Sequence, residues 1–160
     1  MENTFSKFLS NLNQKKKILI YIDMDGVVAD YNMMNHEGDS KDVYLNKRPL
    51  KTIINIFEKI NDEKNIELHI LSVTRHKIQI TGKLTWLEKE MPFIKKENIH
   101  IISREEKDYI HPSKIKTDFI KHNIKNNEIT IHIDDDHLVL KEIKKNIKEI
   151  IVLHPSSIID

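Results

Sequence analysis

The chain has 160 residues, with 26 lysines and arginines against 25 aspartates and glutamates and a formal net charge of +1, so its many lysines are matched by acids and no global field for nucleic acid emerges. It contains no cysteine, which excludes disulfides and a thiolate zinc site. The length suits one domain, 1-160, with an adequate core, and no apolar run approaches the roughly 20 residues needed to span a bilayer, so no membrane partner is expected.

The first segment, 1-16, lacks the basic-then-apolar order of a signal peptide, and a cytoplasmic location is expected. Its Phe5, Phe8, Leu9 and Leu12 fall at helical spacing. They predict a short amphipathic helix that packs on the domain or on a second subunit, which leaves a homo-oligomer open, in preference to a membrane anchor. A strand follows over 17-23, where Ile18 to Ile22 form the near-continuous apolar run of a buried parallel strand. It leads into Asp23-Met24-Asp25-Gly26-Val27-Val28-Ala29-Asp30. Segment 30-49 reads as a lid segment, because the about twenty residues before the next helix are too few for a helical bundle at about 11 to 12 residues per helix. Within it Tyr31, Met33, Met34, His36, Tyr44 and Arg48 form a small lid, with Tyr31 or Tyr44 available to stack on a base, or are ordinary loop residues.

A helix is predicted over 50-61, entered through Pro49. Further strands are predicted over 66-72, 99-103, 129-134 and 149-153, and further helices over 78-90, 113-123 and 137-147. The alternation argues for βαβ units, a central parallel sheet and an α/β, Rossmann-like three-layer α/β/α sandwich with a minimal cap. Trp86 with Leu84 and Leu87 reads as helix-to-sheet core. His132, within a strand, and His137, opening a helix, need not converge and read as structural or surface residues.

Chemistry concentrates where strands end, since ligands in open α/β sheets bind beyond the carboxyl ends of the strands. Asp23 and Asp25 flank one residue, so both carboxylates reach a single small site, one attacking and one handling a proton, while Gly26 permits a tight backbone. Ser72, ending the second strand before Val73, Thr74 and Arg75, offers a hydroxyl beside backbone N–H groups to a phosphate oxygen. The strand through Ile133 delivers Asp134-Asp135-Asp136 to the same edge. Oxygen donors of this kind suit magnesium, which takes one or two carboxylates plus water and substrate phosphate.

Asp23-Met24-Asp25-Gly26, Ser72, a lysine and Asp134-Asp135 resemble the four motifs of the haloacid dehalogenase superfamily of phosphohydrolases, over most of the chain. Asp23 to Asp30, the Leu71-Ser72 turn, Lys83-Leu84-Thr85-Trp86-Leu87 and Ile133-Asp134-Asp135 are most similar to the 5'(3')-deoxyribonucleotidase branch. The resemblance implies an aspartyl-phosphate formed on Asp23, Asp25 as acid and base, and a Mg2+ site from Asp23, the Asp25 backbone carbonyl, Asp134 and Asp135. The register of that site can slip to Asp135 and Asp136, with Asp134 preferred because it follows the strand directly. Ser72 and Val73 would hold the phosphate. The lysine that accompanies it is Lys116, with Lys107 and Lys114 as alternatives. Lys83 is a further possibility whose place before Leu84 fits a surface helix equally well. The implied substrate is a small phosphorylated molecule, a nucleoside monophosphate first. Alternatives are a nucleic-acid end, or a binding module that keeps the fold without turnover.

Overall fold

Isoleucine-rich runs become the five strands of one parallel sheet in the computed structural model, which describes residues 4–12, 15–31 and 43–159. The strands are β1 (Lys17–Ile22), β2 (Ile66–Thr74), β3 (Ile99–Ser103), β4 (Glu128–Ile133) and β5 (Ile151–Leu153), in the order β3-β2-β1-β4-β5. β1 is central, paired in parallel with β2 on one side and β4 on the other. The chain winds away from it in both directions, which opens a switch-point crevice at its carboxyl end. Helices α1 (Thr4–Ser10), α2 (Lys51–Ile60), α3 (Gln79–Glu90), α4 (Pro112–Asn123) and α5 (His137–Asn146) complete an α/β three-layer fold.

Strand side chains alternate between faces, and the parallel register sorts them into two unlike surfaces. Ile18, Ile20 and Ile22 align with Ile66, Leu68 and Ile70 of β2 and with Ile129, Ile131 and Ile133 of β4. This face packs against Phe5 and Leu9 of α1, Phe57 of α2 and Trp86 and Leu87 of α3. Each fully buried isoleucine contributes roughly 1.5–3 kcal/mol, so this face carries most of the stability and frees the other to hold polar groups. On that other face Tyr21 lies beside His69 and His132, covered by Ile120 of α4 and by Val139 and Ile143 of α5. Burial pushes the Tyr21 phenol up to about 12, so it stays neutral there.

Several expectations need correction. Pro49 stands ahead of its helix, bridged to Ala29, and Leu50 is the N-cap of α2. β2 continues to Thr74 because β3 pairs with it through Thr74↔Ser103, which leaves Ser72 inside the strand and buried. Leu84 is 43% exposed; the buried stripe of α3 is Gln79, Gly82, Lys83, Trp86 and Leu87, at helical spacing that Leu84 does not share. Helix α1 packs Phe5 and Leu9 into its own domain's core. Met33, Met34 and His36 of the expected lid lie outside the described residues. Among the described residues no helix is long and apolar enough to cross a membrane.

Candidate active site

Asp23 extends the β1 ladder by one residue, its N–H donating to Ile133 O at 2.9 Å, and Asp134 does the same for β4 toward Leu153 O at 3.2 Å. Asp23 continues the row of Tyr21 and Asp134 that of His132, so both carboxylates stand on the α4/α5 side of the sheet edge. Between them comes Lys116 from α4, its Nζ 2.8 Å from Asp23 Oδ1 and 2.6 Å from Asp134 Oδ2. His132 Nε2 also donates to Asp134 Oδ2 at 3.0 Å, and the Asp136 N–H donates to Asp134 Oδ1 at 3.0 Å. Asp135 reaches the cluster over Gly26. That glycine has φ 76, and a Cβ there would sit 2.1 Å from Asp135 Oδ2, so only glycine permits both the turn and the close approach.

Asp23, Asp134 and Asp135 each offer an oxygen, all within 4.8 Å of one another. Burial pushes the Asp23 carboxyl up against the pull of Lys116. Burial would raise Asp134 too, but the His132 hydrogen bond and the Lys116 ammonium hold it down at about 2. Asp135 is pushed up to about 6 by burial and by the charges of Asp23 and Asp134. Against burial, the same two aspartates keep Lys116 above its ordinary value. Three buried or half-buried carboxylates thus share one ammonium, and an all-oxygen donor set with surplus negative charge fits a small hard cation such as Mg2+. Asp136 does not join them: its carboxylate accepts the Leu138 N–H at 2.8 Å and caps α5.

The other layer contributes a different arrangement. Ser72 continues the row of Ile70 toward α3, where Lys83 is fully buried. Lys83 Nζ donates to Asp25 Oδ2 and Ser72 Oγ, each at 2.7 Å, and lies 4.5 Å from the centre of the Tyr44 ring. Lys47 Nζ pairs with the remaining oxygen, Asp25 Oδ1, and lies 4.8 Å over the same ring. The Trp86 indole N–H donates to Lys47 O at 2.8 Å and fixes the backbone that carries it. Burial acts to raise the Asp25 carboxyl, but the ammoniums of Lys83 and Lys47 outweigh it and hold Asp25 below its ordinary value. Burial opposes the charge of Lys83 as well, and Asp25 outweighs it, so Lys83 lies above its usual range.

Asp23, Asp25, Tyr44, Lys47, Lys116, Asp134 and Asp135 line a cavity of about 770 Å³ together with Val73, Arg75 and Pro112, while Ser72 and Lys83 are fully buried behind Asp25. Asp23, Asp25, Ser72, Val73, Lys116, Asp134 and Asp135 are therefore brought together at one edge. Lys107 and Lys114 are exposed on the surface and make no contact with the aspartates. Both tyrosines line the cavity: Tyr44 is largely buried with its ring against two ammoniums, whereas Tyr31 is 59% exposed. Sequence reasoning left Lys83 open between the phosphate's lysine and a surface-helix residue, and the structure buries it fully. Its signal was present, because Lys83 lies one turn from both Gln79 and Leu87 on the buried stripe of α3. Lys47 sits in irregular chain between Asn46 and Arg48 and offers no periodic signal.

No family model matches the chain, and no curated protein sequence matches it. Solved structures do. A chain of the Pnkp1/Rnl/Hen1 RNA repair complex aligns over 89% of this protein with a TM-score of 0.68 and 12% identity. The protein spans only 43% of that chain's length. The HAD domain of the effector protein Lem4 from Legionella pneumophila aligns over 86% of this protein and 84% of its own chain, with a TM-score of 0.56 and 17% identity. Identities this low speak for fold alone. What is shared is the α/β fold of the Lem4 HAD domain, and these likenesses do not select a deoxyribonucleotidase.

Proposed function

We propose that the protein is a magnesium-dependent phosphomonoesterase that works through an aspartyl-phosphate on Asp23, with a nucleotide carrying the phosphate. One observation carries this reading: charge is divided across the sheet edge. On the α4 side Asp23, Asp134 and Asp135 outnumber Lys116, and on the α3 side Lys83 and Lys47 outnumber Asp25. A cation suits the first half and a phosphate dianion the second.

Asp23, Asp134, Asp135 and the Asp25 backbone carbonyl would hold Mg2+, which when bound neutralises phosphate charge and orients the ester for in-line attack. The Asp23 carboxylate attacks phosphorus, and the bond from phosphorus to the ester oxygen breaks. Asp25 delivers its proton to that leaving oxygen. In the second half Asp25 takes a proton from the water that attacks the phosphoryl group on Asp23, releasing inorganic phosphate and restoring both carboxyls. Lys116 neutralises Asp23, while Ser72 and Val73 receive the phosphate oxygens. Before substrate arrives Asp25 is ionised between two lysines. Lys47 is the more accessible of the two, with 13% of its side chain exposed against none for Lys83. Drawn to the incoming dianion, Lys47 loosens its hold, and Asp25 can then take up the proton it must donate.

A free nucleoside monophosphate fits a cavity of about 770 Å³ with Tyr31 exposed beside it. A nucleic-acid end is the second reading, favoured by the fold likeness to a chain of an RNA repair complex. The test is to trap the intermediate. p-Nitrophenolate leaves without needing a proton, so Asp25→Asn with p-nitrophenyl phosphate and Mg2+ is expected to form the phosphoenzyme and hydrolyse it slowly. Mass spectrometry after acid quench should then find a phosphoryl group on Asp23. An unmodified Asp23 throughout turnover would overturn the mechanism.

A further inference from the structure

One side of the cavity is unused by the chemistry above. After β3 the chain doubles back beside the end of β2, the Arg104 N–H donating to Thr74 O at 2.8 Å. The Arg104 guanidinium then donates to two successive carbonyls, Tyr109 O at 2.6 Å and Ile110 O at 2.8 Å. This clamp holds Asp108 and Tyr109 at φ 49 and φ 50, in the left-handed region that residues bearing a Cβ avoid. Backbone held in such a region needs its surroundings to over-determine it, and such places cluster at ligand sites. Here the strained loop displays apolar surface: Tyr109 is 45% exposed and Ile110 36%.

The loop adjoins residues that line the cavity. The Tyr109 ring meets His76 edge-on, with centroids 5.9 Å apart. Arg75, next to His76, and Pro112, three residues past Tyr109, both line the cavity. Arg75 is exposed and has no ion-pair partner among the described residues, whereas Lys47 and Lys116, which line the same cavity, are both committed to aspartates. A free guanidinium on the cavity wall, one residue from the His76 ring against which an exposed tyrosine packs, offers the two contacts that grip a phosphodiester and stack a base in single-stranded nucleic acid. A mononucleotide, its one phosphate already taken up at Asp23, would leave Arg75 without a phosphodiester.

We infer that the substrate is the phosphorylated end of a single nucleic-acid strand, its terminal phosphate at Asp23, the adjoining phosphodiester on Arg75 and a base of the strand on Tyr109. This rests on the phosphomonoesterase reading and narrows its substrate class. The test compares kcat/KM on an oligothymidylate with a terminal phosphate (3' or 5'), on thymidine monophosphate and on p-nitrophenyl phosphate, for the wild type, Tyr109→Ala, Tyr109→Phe and Arg75→Gln. One of the two oligonucleotides should be preferred to the mononucleotide by about tenfold or more, the scale of one base stacked on an aromatic ring. Tyr109→Ala should erase that ratio and Tyr109→Phe should keep it, while Arg75→Gln should flatten the salt dependence of the oligonucleotide's KM. A mononucleotide handled as well as both oligonucleotides, or a ratio untouched by Tyr109→Ala and Arg75→Gln alike, would overturn the inference while p-nitrophenyl phosphate turnover leaves the phosphatase reading standing. Absence of turnover on every ester would overturn both.

Discussion

Lys116 and Lys83 are both buried lysines at the same sheet edge, one from each helical layer, yet they keep opposite company. Lys116 stands between Asp23 and Asp134 with Asp135 nearby, an ammonium outnumbered by carboxylates. Lys83 shares the single carboxylate of Asp25 with Lys47 and donates its other hydrogen bonds to Ser72 and the Val73 carbonyl. The difference teaches that this edge is an electrostatic couple. The α4 side asks for a cation and the α3 side for an anion, and a magnesium phosphate complex supplies both.

The sharpest way to break that comparison is to replace each lysine by methionine and ask what restores the protein. Removing one partner of a buried ion pair costs about 3–5 kcal/mol, because the other charge is stranded. For Lys116→Met the stranded groups are the proposed metal ligands, so urea unfolding with Mg2+ should recover much of the loss. For Lys83→Met it should recover little, and turnover should fall by about 100-fold or more, the scale of losing one positioned charge in a catalytic site. Equal rescue of the two variants would dissolve the distinction.

Next in size is the approach of Asp135 over Gly26. Gly26→Ala places a Cβ where Asp135 Oδ2 now sits and demands a left-handed backbone of alanine. The expected result is Mg2+ affinity weakened by about 10–100-fold in calorimetry, as when an orienting contact of a metal site is lost. Ser72→Ala should leave Mg2+ binding alone and weaken inorganic phosphate instead.

Titration separates the halves more gently. Asp135 titrates at about 6 against an ordinary 3.8. Below that value its proton competes with a cation, so Mg2+ affinity should fall as pH drops from 7 to 5. A raised carboxyl costs the metal-free protein stability as pH climbs from 3.8 to about 6, and bound metal removes that cost. The rise in Tm produced by Mg2+ should therefore be larger at pH 7 than at pH 5, and equal shifts would contradict the assignment. Asp134, held at about 2, keeps its charge across the same range. The smallest expected effect is that of Lys47→Gln, about fivefold in kcat/KM, in keeping with about 1 kcal/mol for a contact that water partly replaces.

How much of this was legible beforehand varied with the kind of signal. The apolar runs at Ile18, Ile66 and Ile129 and the carboxylates after two of them were enough to anticipate a parallel sheet with Asp23, Asp25 and Asp134 at one edge. Periodicity also held the clue to Lys83, but a lysine on a buried stripe is rare enough that the surface reading seemed the natural one. The cap by Asp136 is a local contact with Leu138 whose signal, an aspartate just ahead of a helix, was present, whereas Lys47 depends on how irregular chain folds back on the sheet, which no repeat in the sequence encodes. Pro49 misled for a related reason: its bridge to Ala29 is a tertiary contact, and that contact outranks the local preference for a helix start.

The most direct measurement is hydrolysis of p-nitrophenyl phosphate by the wild type and by Asp23→Asn, each with and without Mg2+. Turnover that requires Mg2+ and vanishes in Asp23→Asn, in a protein that still unfolds cooperatively, is the predicted result. Hydrolysis that survives in Asp23→Asn, or that proceeds equally well in a chelator, would contradict the assignment of nucleophile and metal at this sheet edge.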